Sequence, residues 1–308
     1  DGSRNPFTLA DDFLAADTSN AENTNHASIR INFESDGFSL AGNNTGVNAN
    51  GGTYIYAAFA GSYSDFITNF DDTTGSIPSR QKASDTTGFS VVSYEGTGSA
   101  GTIKHGLSSA PDWIIIKDRD TAATNWVVYH SSLNSGTTPE QKFLELDGAG
   151  GIQDATGTFN DTAPTSTVFS VGTSTNTNAN GKGYIAYCWT ATTGVSAFGE
   201  YDGTGATGNS VTGLGFKPAW LMVKKTEDTN GSWRIFDATR STTDDRNDNL
   251  FANLTNTESV DSNGGVSFDS DGFTLNNTGS ANANENNKNY IYAAFADTRE
   301  AAFWLDQS

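Results

Sequence analysis

The heptapeptide Tyr-Ile-Tyr-Ala-Ala-Phe-Ala occurs twice word for word, at Tyr54–Ala60 and at Tyr290–Ala296. A degenerate third copy runs Tyr184-Ile-Ala-Tyr-Cys-Trp-Thr190. Each copy follows an Asn-Ala-Asn triplet: Asn48 to Asn50, Asn178 to Asn180, and Asn282 to Asn284. A short aromatic and aliphatic run behind a polar, turn-forming run predicts a strand that enters a core after an exposed loop. Three copies constrain the chain to a tandem array of one small β unit.

Flanking motifs set the period. Tyr94-Glu-Gly-Thr-Gly98 matches Tyr201-Asp-Gly-Thr-Gly205, Pro111-Asp-Trp113 matches Pro218-Ala-Trp220, and Asn125-Trp126 matches Ser232-Trp233, all at an offset of 107. Toward the back the offset becomes 106, Tyr184 to Tyr290, so length changes fall in loops. Residues 88–195 and 196–300 therefore read as two complete β-sandwich units of about 100 residues, with jelly-roll or lectin-like topology. Residues 1–65 read as the back half of a further unit. There Ile31-Asn-Phe33, Glu34-Ser-Asp-Gly37 and Phe38-Ser-Leu40 match Val266-Ser-Phe268, Asp269-Ser-Asp-Gly272 and Phe273-Thr-Leu275. The front half of that unit has no counterpart. Residues 66–87 are polar and read as a linker, and 301–308 as the start of a following segment.

Trp113-Ile-Ile-Ile-Lys117 and Trp220-Leu-Met-Val-Lys224 are continuous apolar runs of strand length, which predicts central strands covered on both faces. The lysines that end them are expected to snorkel at strand ends. No window carries helical periodicity, so the fold class is all-β. Hydrophobic residues make up only 35% of the chain and aromatics 11%, so the aromatics must build several small cores. The expected core residues are Tyr54, Phe59, Trp113, Trp126, Tyr184, Trp189, Trp220, Trp233, Tyr290 and Phe295.

A formal charge of −19 opposes binding to nucleic acid or to an anionic membrane. No apolar run approaches the roughly 18 residues that membrane insertion needs. Cys188 is the only cysteine, which excludes an intrachain disulfide and a thiolate metal cluster. The chain begins at Asp1 with neither Met nor signal peptide, and so reads as a segment of something longer or as a processed product.

Candidate chemistry is sparse. Glu34 and Asp36, like Asp269 and Asp271, could offer closely spaced carboxylates to calcium, or could belong to tight hairpins. The loop asparagines Asn48, Asn50, Asn178, Asn180, Asn282 and Asn284 could meet glycan hydroxyls with their amides, or shape turns. His26, His105 and His130 have no matching histidines in the other units, and no G-x-S-x-G elbow is present. The Gly-Thr-Gly triplets at 96–98 and 203–205 lack the lysine of a phosphate loop and read as turns. No catalytic residue is nominated, and no cofactor is called for beyond that calcium option.

Taken with Gly88-Phe-Ser-Val-Val-Ser-Tyr94, Asn125-Trp126-Val-Val-Tyr129-His130 and Thr162-Ala-Pro-Thr-Ser-Thr-Val-Phe-Ser-Val171, these motifs span nearly the whole chain. In them the sequence resembles an uncharacterised tandem β repeat domain of large tail or fibre-type virion proteins of tailed phages, marine ones especially. The resemblance transfers no activity to any residue. It implies a non-enzymatic tail-fibre or other surface-fibre component at the virion surface, outside the cell. Its expected partners are copies of itself, other virion proteins and a host surface glycan. Two alternatives stay open: a carbohydrate-binding module array of a larger extracellular protein, and a self-assembling extracellular filament subunit. In the last, another chain would supply the missing front half, since an open sheet edge invites pairing.

Overall fold

A computed structural model describes residues 9–10, 12–24, 28–34, 37–59, 72–154, 156–227, 229–241, 243, 245–278 and 283–297. Asp36, Asn282, His26, positions 66–71 of the expected linker and the expected following segment 301–308 lie outside them.

The N-terminal part carries β1 (Leu9–Ala10), β2 (Ile31–Phe33), β3 (Phe38–Leu40) and the one-turn helix α1 (Thr45–Asn48). The middle part begins with β4 (Ser79–Ser84), β5 (Phe89–Glu95), β6 (Gly101–Lys104), β7 (Trp113–Asp118) and β8 (Val127–His130). It continues through β9 (Lys142–Glu145), β10 (Gln153–Asp154), α2 (Thr156–Phe159), β11 (Val168–Val171), α3 (Thr175–Asn178) and β12 (Gly183–Trp189). The last part opens with β13 (Ser196–Asp202), β14 (Asn209–Thr212), β15 (Pro218–Lys225) and β16 (Arg234–Asp237). It closes with β17 (Asp248–Phe251), β18 (Ser259–Val260), β19 (Val266–Asp269), β20 (Gly272–Leu275) and β21 (Asn289–Ala296). The chain is all-β, with its strands in several sheets of the β-sandwich class.

Two large sheets dominate. One orders its strands β10-β9-β8-β7-β12-β5-β4, the other β13-β21-β15-β16-β17-β18. Each is backed by a small sheet, β11-β6 in the first case and β14-β20-β19 in the second. β12 runs antiparallel between β5 and β7, and β21 runs antiparallel between β13 and β15. The registers match as well: Trp189 lies opposite Trp113, and Phe295 opposite Trp220.

Period-two alternation divides each central strand between two cores. Ile114, Ile116, Tyr184, Ala186 and Cys188 face the core under the small sheet β11-β6. Leu221, Val223, Tyr290 and Ala294 face the equivalent core under β14-β20-β19. The other faces of both large sheets meet in a third core. Trp113, Ile115, Trp126 and Trp189 come from one side, Met222, Trp233, Ile291 and Phe295 from the other. Leu14 and Ala16 of the N-terminal part also pack there. This is why the tryptophan strands are apolar at every position: one face serves a private core and the other a shared one. Each fully buried side chain of this size is worth about 3 kcal/mol.

Three expectations are corrected. Tyr54–Phe59 is not a strand, and its aromatic residues are not core: Tyr54 is 45% exposed, Tyr56 68% and Phe59 38%. Among the described residues no strand flanks it, and a β sequence without flanking strands has nowhere to bury its side chains. Residues 72–87 are not a linker, because β4 completes the edge of the seven-stranded sheet and Ile77 is buried in the core. Polar composition hides this; Ser79, Gln81 and Ser84 are buried there although they are hydrophilic. Lys117 and Lys224 do not snorkel: both are fully buried, with their ammonium groups hydrogen-bonded inside.

Candidate functional site

Two of the asparagines nominated for ligand contact, Asn178 and Asn284, turn inward. Asn178 is fully buried; its Oδ1 accepts from the Thr97 amide at 2.8 Å, and its Nδ2 donates to the carbonyls of Ser99 and Gly172 at 2.7 Å each. Asn284 repeats the set, accepting from Thr204 N at 2.9 Å and donating to the carbonyls of Ala206 and Asn277. Both amides are therefore saturated by the fold and leave nothing for a sugar. Beside each stands a tyrosine: Tyr184 donates to the Thr175 carbonyl and accepts from Ala179 N, and Tyr290 accepts from Glu285 N. The structural partner of Asn178 is thus Asn284, six residues before the tyrosine in both cases, so the triplet containing Asn282 aligns two positions off. Asn48 keeps only the bond to the Gly42 carbonyl and is exposed, as are Asn50 and Asn180.

The Gly-Thr-Gly triplets explain themselves against this corner. A Cβ on Gly96 would stand 2.3 Å from the Ala179 carbonyl oxygen, and one on Gly203 would stand 2.1 Å from that of Glu285. Only glycine lets the two loops approach so closely.

The acidic loops are hairpins. Asp269 pairs with Gly272 across the β19–β20 turn, where Gly272 has φ of 152°. The Asp269 carboxylate accepts from the Thr274 hydroxyl at 2.7 Å. Asp271 receives the amides of Gly213 and Gly215 at 3.1 and 2.7 Å, tying the turn after β14. Glu34 accepts from Ser39 Oγ at 2.9 Å. Among the described residues no group of three or more His, Cys, Asp or Glu side chains gathers as a metal set.

His130, His105, Cys188 and Lys224 are buried. His130 is buried between the two large sheets; its Nδ1 accepts from Ser132 N, which leaves Nε2 to donate to the Tyr292 carbonyl at 3.0 Å. Burial pushes its pKa down to about 4. His105 is buried as well, bridging Leu107 N and the Thr165 carbonyl. Burial pushes the Cys188 thiol up to about 12, so it is an inert core group. Burial, with Lys225 alongside, lowers Lys224 to about 7.

What sequence reasoning misses is the set of contacts between parts of the chain. Trp126 Nε1 donates to the carbonyls of Ala15 and Thr18, both at 3.1 Å. Trp233 Nε1 donates to the Glu145 carbonyl at 2.8 Å. Glu22 N meets the Arg119 carbonyl at 2.8 Å, and Ile152 N meets the Thr226 carbonyl at 2.7 Å. Arg119 adds a 2.6 Å ion pair with buried Glu22, while Lys224 donates to the Gly150 carbonyl at 2.7 Å. The signal for this is the choice of tryptophan, which carries a donor, where phenylalanine would fill the same core. At the rim of the second junction lies an open polar depression of about 740 Å³, lined in part by Asn134, Gln153, Glu227 and Asn289. It offers amides, the Glu227 carboxylate, the Lys142 amine and the hydroxyls of Ser135, Thr226 and Thr229.

The chain belongs to a family described as a domain of unknown function, DUF7483, which matches residues 1–62 and 67–299. No curated protein matches it. Among solved structures it is similar to one titled "Crystal Structure of the STIV MCP", at 9% identity, covering 67% of this chain and 84% of that one. The TM-score of 0.17 is too low to carry an argument.

Proposed function

We propose that this protein is a non-enzymatic structural or adhesion component of a phage virion, a tail fibre or other surface fibre assembled from tandem β-sandwich units. The carrying observation is the doubled junction. Trp126 holds Ala15 as Trp233 holds Glu145, and Glu22 meets Arg119 as Ile152 meets Thr226. Ala15 and Glu145, like Glu22 and Ile152, are offset by 130, as Tyr54 is from Tyr184, and their partners Trp126 and Trp233, like Arg119 and Thr226, by 107. Such contacts fix units against one another and do nothing for a substrate. In this reading the units are three sectors around the shared apolar core, the first one incomplete. The acidic exterior keeps the array soluble and leaves the outer loops for contact with neighbouring virion proteins.

Antibodies against the chain should label a tail or fibre on intact particles in electron micrographs. Recovery of the protein only as a free species, never on a particle or filament, would overturn the assignment. The polar depression favours a second reading, a carbohydrate-binding array, since its amides suit hydroxyls. A glycan-array screen decides between them: binding that is lost in Asn134→Ala and Gln153→Ala supports the array.

A further inference from the structure

We infer that Tyr54–Phe59 is a strand without its sheet, and that its place is completed by a polypeptide with the sequence pattern of residues 89–130, the front half of a unit of this family. The inference rests on the tandem-unit reading above. The same residues at Tyr290–Phe295 form β21, held between β13 and β15, and there Tyr290 and Ile291 are buried. At Tyr54 the half of the motif that the chain itself can supply is already built. Tyr54 Oη donates to the Thr45 carbonyl and accepts from Ala49 N, both at 2.7 Å, as Tyr184 does with Thr175 and Ala179. Asn48 Nδ2 reaches the Gly42 carbonyl at 2.9 Å, as Asn178 Nδ2 reaches that of Gly172. The other partners of Asn178, Thr97 and Ser99, belong to a front half, and so does Tyr94, which donates to the Thr177 carbonyl. Residues 1–65 contain no counterpart of these three.

The exposed segment is continuous with interfaces already formed. Phe59 packs its ring 5.6 Å from Trp189 and 5.1 Å from Phe295, which are its own counterparts in the other two units. Ala16, Leu146 and Ala252, a second equivalent set, all reach the shared core. Two of the three junctions around that core exist. The third acceptor is Phe251, which pairs with Arg234 as Glu145 pairs with Val127. Leu254 and Val260 close by in sequence are exposed, Val260 to 68%. A front half seated against Tyr54–Phe59 brings a tryptophan to the Phe251 carbonyl and closes the ring. A second copy of residues 1–308 does not serve, because these residues hold three tyrosine motifs and two front halves, both of them filled by β12 and β21.

The test places the sequence of residues 89–130 ahead of Asp1 and follows amide hydrogen exchange. Asp1 is the counterpart of Ser131, so the fusion is in register. The expected result is that amides of 54–59 exchange rapidly in the original chain and slow by at least about 100-fold in the fused one. Ile55→Asp in the fused protein should abolish that gain. Unchanged exchange at 54–59, with 290–296 still protected, overturns the inference and leaves the tandem-unit reading standing. Exchange at 184–189 and 290–296 as fast as at 54–59 in the original chain sinks the tandem-unit reading itself. If fusion destroys protection at 290–296, the peptide 89–130 added to the original chain decides, with protection of 54–59 supporting the inference and its absence overturning it. Protection of 54–59 in the original chain as a dimer by ultracentrifugation also overturns it, since a second copy would then fill the place.

Discussion

The indole nitrogen of Trp233 donates to the carbonyl oxygen of Glu145 at 2.8 Å, across the boundary between two sequence-similar parts of the chain. The ring also fills the shared core and is almost fully buried. These two roles separate by substitution. Trp233→Phe keeps most of the apolar volume but leaves a buried carbonyl without that donor, which costs about 1–3 kcal/mol. Trp233→Ala adds a cavity and should cost about 3–5 kcal/mol. Urea unfolding midpoints measure both, and a Trp233→Phe variant as stable as the native chain would refute the hydrogen-bonding role.

Asn178 closes three hydrogen bonds in a buried corner, and Asn284 closes the equivalent three and also accepts from Asn209 Nδ2 at 2.9 Å. Replacing either with Ala strands several backbone groups, so a loss of about 2–4 kcal/mol is expected. Asn48→Ala, at an exposed site with a single bond to Gly42, should cost under about 1 kcal/mol. Thermal denaturation of the three variants gives the ranking. A small effect at Asn178 alongside a large one at Asn48 would contradict the corner geometry.

The sequence is most informative where period-two alternation and repetition coincide. The Trp113 and Trp220 strands, their double covering and the tyrosine strands at 184 and 290 follow from apolar patterning alone. The same patterning misleads at Tyr54, because burial belongs to the flanking strands and not to the heptapeptide. At residues 79–84 a polar strand has the composition of a linker, since its hydroxyl and amide side chains are buried by tertiary contacts that composition does not register. The two-position slip at Asn282 comes from matching the triplet, where the spacing to Tyr290 is the better guide. The junction bonds are illegible for a different reason: they join a side-chain donor to main-chain carbonyls of residues as unlike as Ala15 and Glu145. A carbonyl acceptor leaves no mark on sequence.

Asp271 and Asp269 act as turn ligands for amide and hydroxyl donors. Calcium should therefore leave the melting temperature unchanged, as should a chelator. Asp271→Ala should cost about 1–3 kcal/mol by releasing the amides of Gly213 and Gly215. A calcium-dependent rise in melting temperature that disappears in Asp271→Ala would show instead that the hairpin holds the ion.

His130 supplies a pH dependence whose sign is fixed by its surroundings. In the folded chain Nδ1 accepts from Ser132 N and Nε2 donates to the Tyr292 carbonyl, an arrangement that only the neutral ring satisfies. Burial brings its pKa from 6.5 to about 4. Between those values the unfolded chain binds the proton and the folded chain does not, so stability rises with pH across this window. On acidification the loss begins near pH 6.5 and levels off below about pH 4. It reaches at most about 3 kcal/mol, because a tenfold change in proton concentration between the two values is worth about 1.4 kcal/mol. Asp237 stands at the matching place opposite Trp220, so the effect belongs to the junction made by β8 alone. Urea titrations at about pH 4.5 and 7.5 should show the difference in the native chain, and His130→Gln, which cannot take up a proton, should remove most of it. If the difference persists in that variant, buried carboxylates and not this imidazole set the acid sensitivity.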